Sequence, residues 1–377
     1  MPENNITQST SVLGTPGDLI ANIPGILGFY PTESVVFTVM FREGESTRHT
    51  LGPVIRVNID ELDLLPDVGR AIESTDADLI FCFIITENSS DEWVEGIVDT
   101  LFSTAESGVI PTTACWITTG IYSGEIYQLA FGPSPEELGA GGRGLLDWEQ
   151  GRIAPVTGAV ATRNLLEHGQ LPEATRTDAY AVFDRDNRFL TGDGIRELGA
   201  QAQRRGDEIL RAIRTDPGGG AFDAALEDFE TILDRVTLSA NRSAVATLLR
   251  KPGLLRDAAA YLTSVLLRDS ILHHSVDNPR VAADLFMAVA KTFDGSIRCN
   301  ALCLYSLAVI RQNLGMKAIP ALDAALATDP DHSFSGLLRH GLADGQFDTM
   351  VDACMRGNAM VRAQYSPGSN GGTSTAA

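Results

Sequence analysis

The feature that most constrains this chain is a run of eight residues, Ser34 to Phe41, SVVFTVMF, that is almost wholly apolar and rich in β-branched and aromatic side chains. Such a run suits a strand buried on both faces, with protein layers above and below it. The residues before it, LGTPGDLIANIPGILGFYP, read as a capped helix and a tight turn. Thr15 can cap the first free N–H groups, Pro16 suits the first helical position, and Asp18 places a negative charge at the positive helix end. Leu19, Ile20, Ile23, Ile26 and Leu27 fall on or near one helical face. Pro24 predicts a kink or an early end, Gly28 a stop, and Pro31 a block to resumption.

The following pattern extends the same architecture. The polar stretch 42–49 reads as a hairpin loop between strands 34–41 and 51–59. A short helix over 66–75 then leads to the apolar strand LIFCFII at 79–85. Strand, helix and strand in about 35 residues form a βαβ crossover, so those strands should be parallel. Ser89 or Ser90 caps a helix reaching Glu106, whose apolar face is Trp93, Ile97, Val98, Leu101 and Phe102. Strand 112–119 follows, with 124–131 as a hairpin return. The prediction is an α/β domain over 13–175 with a mixed, partly parallel sheet.

Residues 132–158 change character, and GPSPEELGAGGRG reads as an exposed loop. Helical patterns dominate from about 159. Residues 176–190 suit either a short strand or a helix start. Helices are predicted near 190–214, 221–239, 254–274, 279–292, 296–313, 317–327 and 333–340. This all-α helical-hairpin domain spans 176–362. Within 296–343, Leu304, Leu307 and Ala308, then Ala318, Leu322, Ala325 and Pro330, stand at tetratricopeptide-like spacings in one hairpin. Segments 1–12 and 363–377 read as disordered.

Two signatures resemble domain-of-unknown-function family 4192, found in actinobacteria. The first is Asp18-Leu19, Ile23-Pro24, Leu27-Gly28-Phe29, Pro31, Ser34-Val35-Val36 and Arg56-Val57. The second is Arg268-Asp269, Gly315, Ala318, Ala321, Ala325-Leu326, Asp329-Pro330 and Leu337-Leu338. The run Arg56-Val57-Asn58-Ile59-Asp60 lacks the family's usual proline after the arginine strand. The cysteine-bearing segment of many relatives is missing at 132–160. The resemblance implies no established activity.

Charge narrows the function. A net −20 at pH 7 opposes non-specific nucleic-acid binding and attraction to anionic membrane surfaces. No apolar run reaches the ~18–20 residues of a membrane span, and MPENNITQST lacks a signal pattern. The expected location is the cytoplasm. Five cysteines, Cys82, Cys115, Cys299, Cys303 and Cys354, odd in number and irregularly spaced, read as reduced thiols.

The candidate chemistry is sparse. Gly139 to Gly144 offers glycines for a phosphate cradle but follows no strand, so it reads as a linker. Asp269, His273 and Asp277 would share a face on a continuous helix as metal ligands or an acid–base set; the competing reading makes Asp277 or Asn278 a helix cap and Asp269 the partner in a structural ion pair with Arg268. Cys299 and Cys303, one turn apart, make a poor metal site on their own. Asp18, Glu33 and Arg56 are the polar groups expected around any pocket at the sheet edge, or else ties between a turn and a strand. The binding candidates are thus Asp18, Glu33, Arg56, Arg268 and Asp269, with no metal and no cofactor. The expected function is a non-catalytic module that binds a protein partner through its helical domain. The alternative is a small-molecule enzyme or sensor with a pocket where strand ends meet loops 29–33 and 86–90. The sequence sets no oligomeric state.

Overall fold

The structure is a computed structural model that describes residues 14–42, 44, 49–88, 90–134, 137, 147–186, 188–238, 244–343 and 347–366. The expectations for 1–12, Ser89, the 139–144 glycines, most of the 42–49 loop and the tail beyond 366 lie outside these residues. The chain divides into two compact units between Ala179 and Tyr180.

The first unit begins with α1 (Pro16–Leu27). Thr15 Oγ1 accepts from the Asp18 N–H at 3.1 Å, and Asp18 Oδ2 accepts from the Thr15 N–H at 3.1 Å, a reciprocal capping box. Pro24 lies inside the helix without ending it, and Gly28, at φ 82°, closes it in the left-handed conformation. Next come β1 (Ser34–Arg42), β2 (His49–Asn58), α2 (Leu65–Glu73), β3 (Leu79–Ile85), α3 (Asp91–Glu106), β4 (Ala114–Thr118), β5 (Ile126–Phe131) and β6 (Gln150–Arg152). The unit closes with α4 (Val160–Glu167), and α5 (Arg176–Ala181) runs across the boundary. The sheet order is β2-β1-β3-β4-β5-β6, and only β3–β4 is a parallel neighbour pair. The mixed, partly parallel sheet is as predicted. One detail differs. Strands β2 and β3 do point the same way, but β1 lies between them, antiparallel to both. The apolar β1 needs a neighbour on each side, and its hairpin partner β2 fills one of them.

Alternation along β1 splits the core into two layers. Val36 and Met40 join Phe81, Phe83, Trp116 and Tyr127 against Leu19, Ile20 and Ile23 of α1. Val35, Phe37 and Val39 join Cys82, Ile84 and Cys115 against Leu65, Val68 and Ile72 of α2 and Ile97 and Leu101 of α3. Helices therefore cover both faces of the sheet. The short strand β6, inside the segment read as loop, was not expected; three residues are too few to carry a period-two signal. Helix α1 crosses α4 at Gly25, where a Cβ would stand 2.4 Å from the Thr162 nitrogen. Beside that crossing the buried Asn22 accepts from the Ala161 N–H at 3.0 Å, capping α4 from outside, and donates to the Asp18 carbonyl at 2.8 Å.

The second unit is helical, as predicted. It comprises α6 (Gly192–Thr215), α7 (Gly220–Thr237), α8 (Ala244–Leu248), α9 (Pro252–Ala260), α10 (Val265–Ile271), α11 (His274–Asp277), α12 (Pro279–Thr292), α13 (Gly295–Arg311), α14 (Ala318–Thr328), α15 (Ser333–Ala343) and α16 (Phe347–Tyr365). Helix α13 forms antiparallel-style hairpins in sequence with α12 and α14, and every residue from Ile297 to Ile310 is buried. The single helix expected over 254–274 is broken: α9 ends at Ala260, Ser264 caps a fresh start by accepting from the Leu267 N–H at 3.3 Å, and α10 ends at Ile271. Asp269, His273 and Asp277 therefore do not lie on one continuous helix.

Candidate functional site

The first unit holds an open cleft of about 1020 Å³ between the carboxyl end of β2 and the first turns of α3; among the described residues none of the 86–90 loop expected there lines it. Five segments build it. Thr32 and Glu33 enter from the loop before β1, and Arg56 and Asn58 from the end of β2. Ile59, Asp60 and Leu62 come from the 3-10 turn after β2, and Glu92, Trp93, Gly96 and Ile97 from the first turns of α3. Thr175, Arg176 and Thr177 complete the wall. They are brought there by backbone pairing of 28–30 with Glu173: the Tyr30 N–H donates to the Glu173 carbonyl at 3.0 Å, and the Glu173 N–H donates to the Gly28 carbonyl at 2.8 Å.

The polar groups are fixed in place. Arg56 Nε donates to Ser34 Oγ at 2.8 Å, its other arm donates to Asn58 Oδ1, and the guanidinium stands 6.0 Å from the Phe29 ring centroid. Asn58 in turn donates to Glu61. Glu33 accepts from Thr86 Oγ1 at 2.8 Å and from the Glu87 N–H at 2.9 Å, while its carbonyl accepts from the Ile59 N–H at 3.1 Å. Its φ of 43° is uncommon for a side chain with a Cβ. Bonds to the ends of two strands hold that strained conformation beside the cleft, the usual setting of stored backbone strain.

Of the sequence candidates, Glu33 and Arg56 meet in this cleft. Asp18 does not line it; its carboxylate is spent on the α1 cap, accepting also from Thr15 Oγ1 and the Gly14 N–H. Arg268 and Asp269 stand in the second unit, in a buried network. Arg268 Nε donates to Asp269 Oδ1 at 2.8 Å and its Nη1 to Asn300 Oδ1 at 3.0 Å, and the guanidinium lies 4.2 Å from the Phe334 centroid. Asn300 donates to the Leu262 carbonyl at 2.8 Å and contacts His332 Nε2 at 3.2 Å. His332 Nδ1 meets Ser335 Oγ at 2.7 Å, and Ser335 meets Cys303 Sγ at 3.1 Å. Burial pushes the Cys303 thiol up to about 12 and Cys299 up to about 11, so both are protonated at neutral pH and poor nucleophiles. Among the described residues no three His, Cys, Asp or Glu side chains gather as metal ligands.

Sequence reasoning missed Asn58, Trp93, Gly96 and Thr175 to Thr177. Periodicity puts Trp93 on the apolar face of its helix, and there it sits at the rim, 36% exposed. Helical periodicity marks the face a residue lies on, not where the covering layer stops.

A three-layer α/β unit with a cleft at its strand ends, joined to a unit of helical hairpins, defines the class of protein. The chain belongs to the family described as Domain of unknown function (DUF4192), whose model matches residues 16–347. No curated protein and no solved structure matches it. Among the described residues no helix is long and apolar enough to cross a membrane.

Proposed function

We propose that the α/β unit is a non-catalytic binding module for a small polar molecule, held in the cleft between the end of β2 and the start of α3. One observation carries the reading. An open cleft is lined by an apolar patch and by a few polar groups whose positions neighbouring bonds already hold. Pre-positioned groups lose little entropy on binding. The test uses the full chain labelled with 5-fluorotryptophan, which carries three tryptophans. Trp116 and Trp148 pack together on the opposite layer of the sheet, and Trp93 reports the cleft. In a fragment library spanning rings, polyols, amines and acids, hits should shift the Trp93 fluorine resonance, assigned by its loss in Trp93→Phe. They should bind several-fold more weakly to Asn58→Ala. A library that leaves Trp93 unmoved at millimolar concentration would sink the reading.

A second reading gives the helical unit, with its tetratricopeptide-like α13–α14 hairpin, a protein partner. It is favoured by Leu337 and Met360, 70% and 74% exposed on the contacting helices α15 and α16. Affinity purification at native expression level should yield a stoichiometric partner that Leu337→Asp with Met360→Asp loses; equal recovery with that variant would count against it. We place both activities in the cytoplasm, supported by five cysteines that are all free thiols.

A further inference from the structure

We propose that Gly96 is a specificity-determining residue of the cleft, and that the ligand presents a planar heteroaromatic ring with hydrogen-bonding substituents. The proposal rests on the cleft reading above. Gly96 sits inside the sixteen-residue helix α3, where glycine is the poorest helix former after proline. Packing does not require it, since a Cβ added there would meet nothing within 4 Å. Gly336 and Gly357 have the same freedom in helices of the other unit, so open space alone marks nothing. Gly96 differs in lining the cleft.

Its neighbours say what the space suits. Residues 92, 93, 96 and 97 stand three and four apart and so share one helix face. On that face the Trp93 indole and Ile97 flank the bare backbone of Gly96, and Ile59 and Leu62 add further apolar lining from the turn after β2. A flat ring can lie against a helix backbone only where no side chain stands up from it, and an adjacent indole offers a stacking partner. Arg56, Asn58, Glu33 and Thr32 supply donors and acceptors for the ring's substituents. A non-planar polyol would gain nothing from the missing Cβ.

The test compares wild type, Gly96→Ala and Gly96→Leu, using adenosine and nicotinamide as planar probes and inositol as the non-planar control. Thermal midpoints and the Trp93 fluorine resonance are read for each. The alanine variant should melt about 2–4 °C higher, because a better helix former replaces glycine at an unobstructed site. At least one planar probe should bind the wild type, bind Gly96→Ala a few-fold more weakly, and bind Gly96→Leu at least ten-fold more weakly. Equal binding of planar probes to all three proteins would overturn the role of Gly96. If the wild type binds only inositol or other non-planar fragments, the ring assignment falls while the cleft reading stands. If it binds no fragment of any class, both fall together.

Discussion

Replacing Arg268 with alanine is expected to cost the helical unit about 3 kcal/mol, within the range for removing one partner of a buried ion pair. The side chain is 9% exposed and makes three kinds of contact at once: to Asp269, to Asn300 on the central helix α13, and to the face of Phe334. Alanine abolishes all three and leaves the Asp269 carboxylate, itself only 26% exposed, without its counter-charge. Arg268→Lys should recover less than half, since one ammonium cannot reproduce a fork directed at two acceptors over a ring. In urea the helical unit's transition should move down by roughly 1 M, with the α/β unit's transition unchanged. A helical transition at the wild-type midpoint would show that the network, however well bonded, is not what holds α10 to α13.

The second large effect is acid loss of stability in the same unit. His273 and His274 are 7% and 4% exposed, with ring centroids 3.9 Å apart. Neither His273 Nδ1 nor His274 Nε2 has a hydrogen-bond partner. Burial, then the neighbouring His273 and Arg362, push His274 down to about 3. Burial and Arg362 lower His273, with Asp277 and a backbone hydrogen bond at Ser270 opposing. His332 is lowered by burial and by Arg268. In the unfolded chain these imidazoles take up protons near pH 6.5; in the folded unit they resist until the pH is lower. The unfolded state therefore binds more protons below 6.5, and stability is full above that pH and falls as pH drops towards the folded values. His274 alone should remove about 1.4 kcal/mol per pH unit below 6.5, reaching on the order of 4 kcal/mol by its folded value. Urea midpoints of the helical unit should stay level from pH 7.5 to about 6.5 and then fall down to pH 4.5, and His274→Phe should flatten the slope. A flat wild-type profile would mean that these imidazoles reach solvent protons without unfolding.

The fold was legible where local pattern and tertiary demand agree. The apolar β1 could only be interior, and Thr15, Pro16, Asp18 and Gly28 spelled out the ends of α1. The break at Ser264 was missed because apolar periodicity continues through it, although a serine cap was present as a signal. In the cleft, Glu33 and Arg56 stood out as charges beside apolar strands. Asn58, uncharged at the end of β2, had no such contrast, and Thr175 to Thr177 reach the cleft through the pairing of Glu173 with 28–30, a contact between distant segments. Asn22 left no trace for the same reason: its partner lies 139 residues away.

That last bond bears on how the protein is made. Among the described elements of its unit helix α1 is synthesised ahead of the others, and α4, which it crosses at Gly25 and caps through Asn22, is nearly the last. Until α4 emerges, Leu19, Ile20 and Ile23 lack part of their final environment, and the unit cannot close however well its sheet has begun to pair. A nascent chain stalled before residue 160 should thus present a half-covered apolar helix, a natural point of engagement for chaperones and of aggregation in their absence. Contacts this distant in sequence also favour slow closure once synthesis ends.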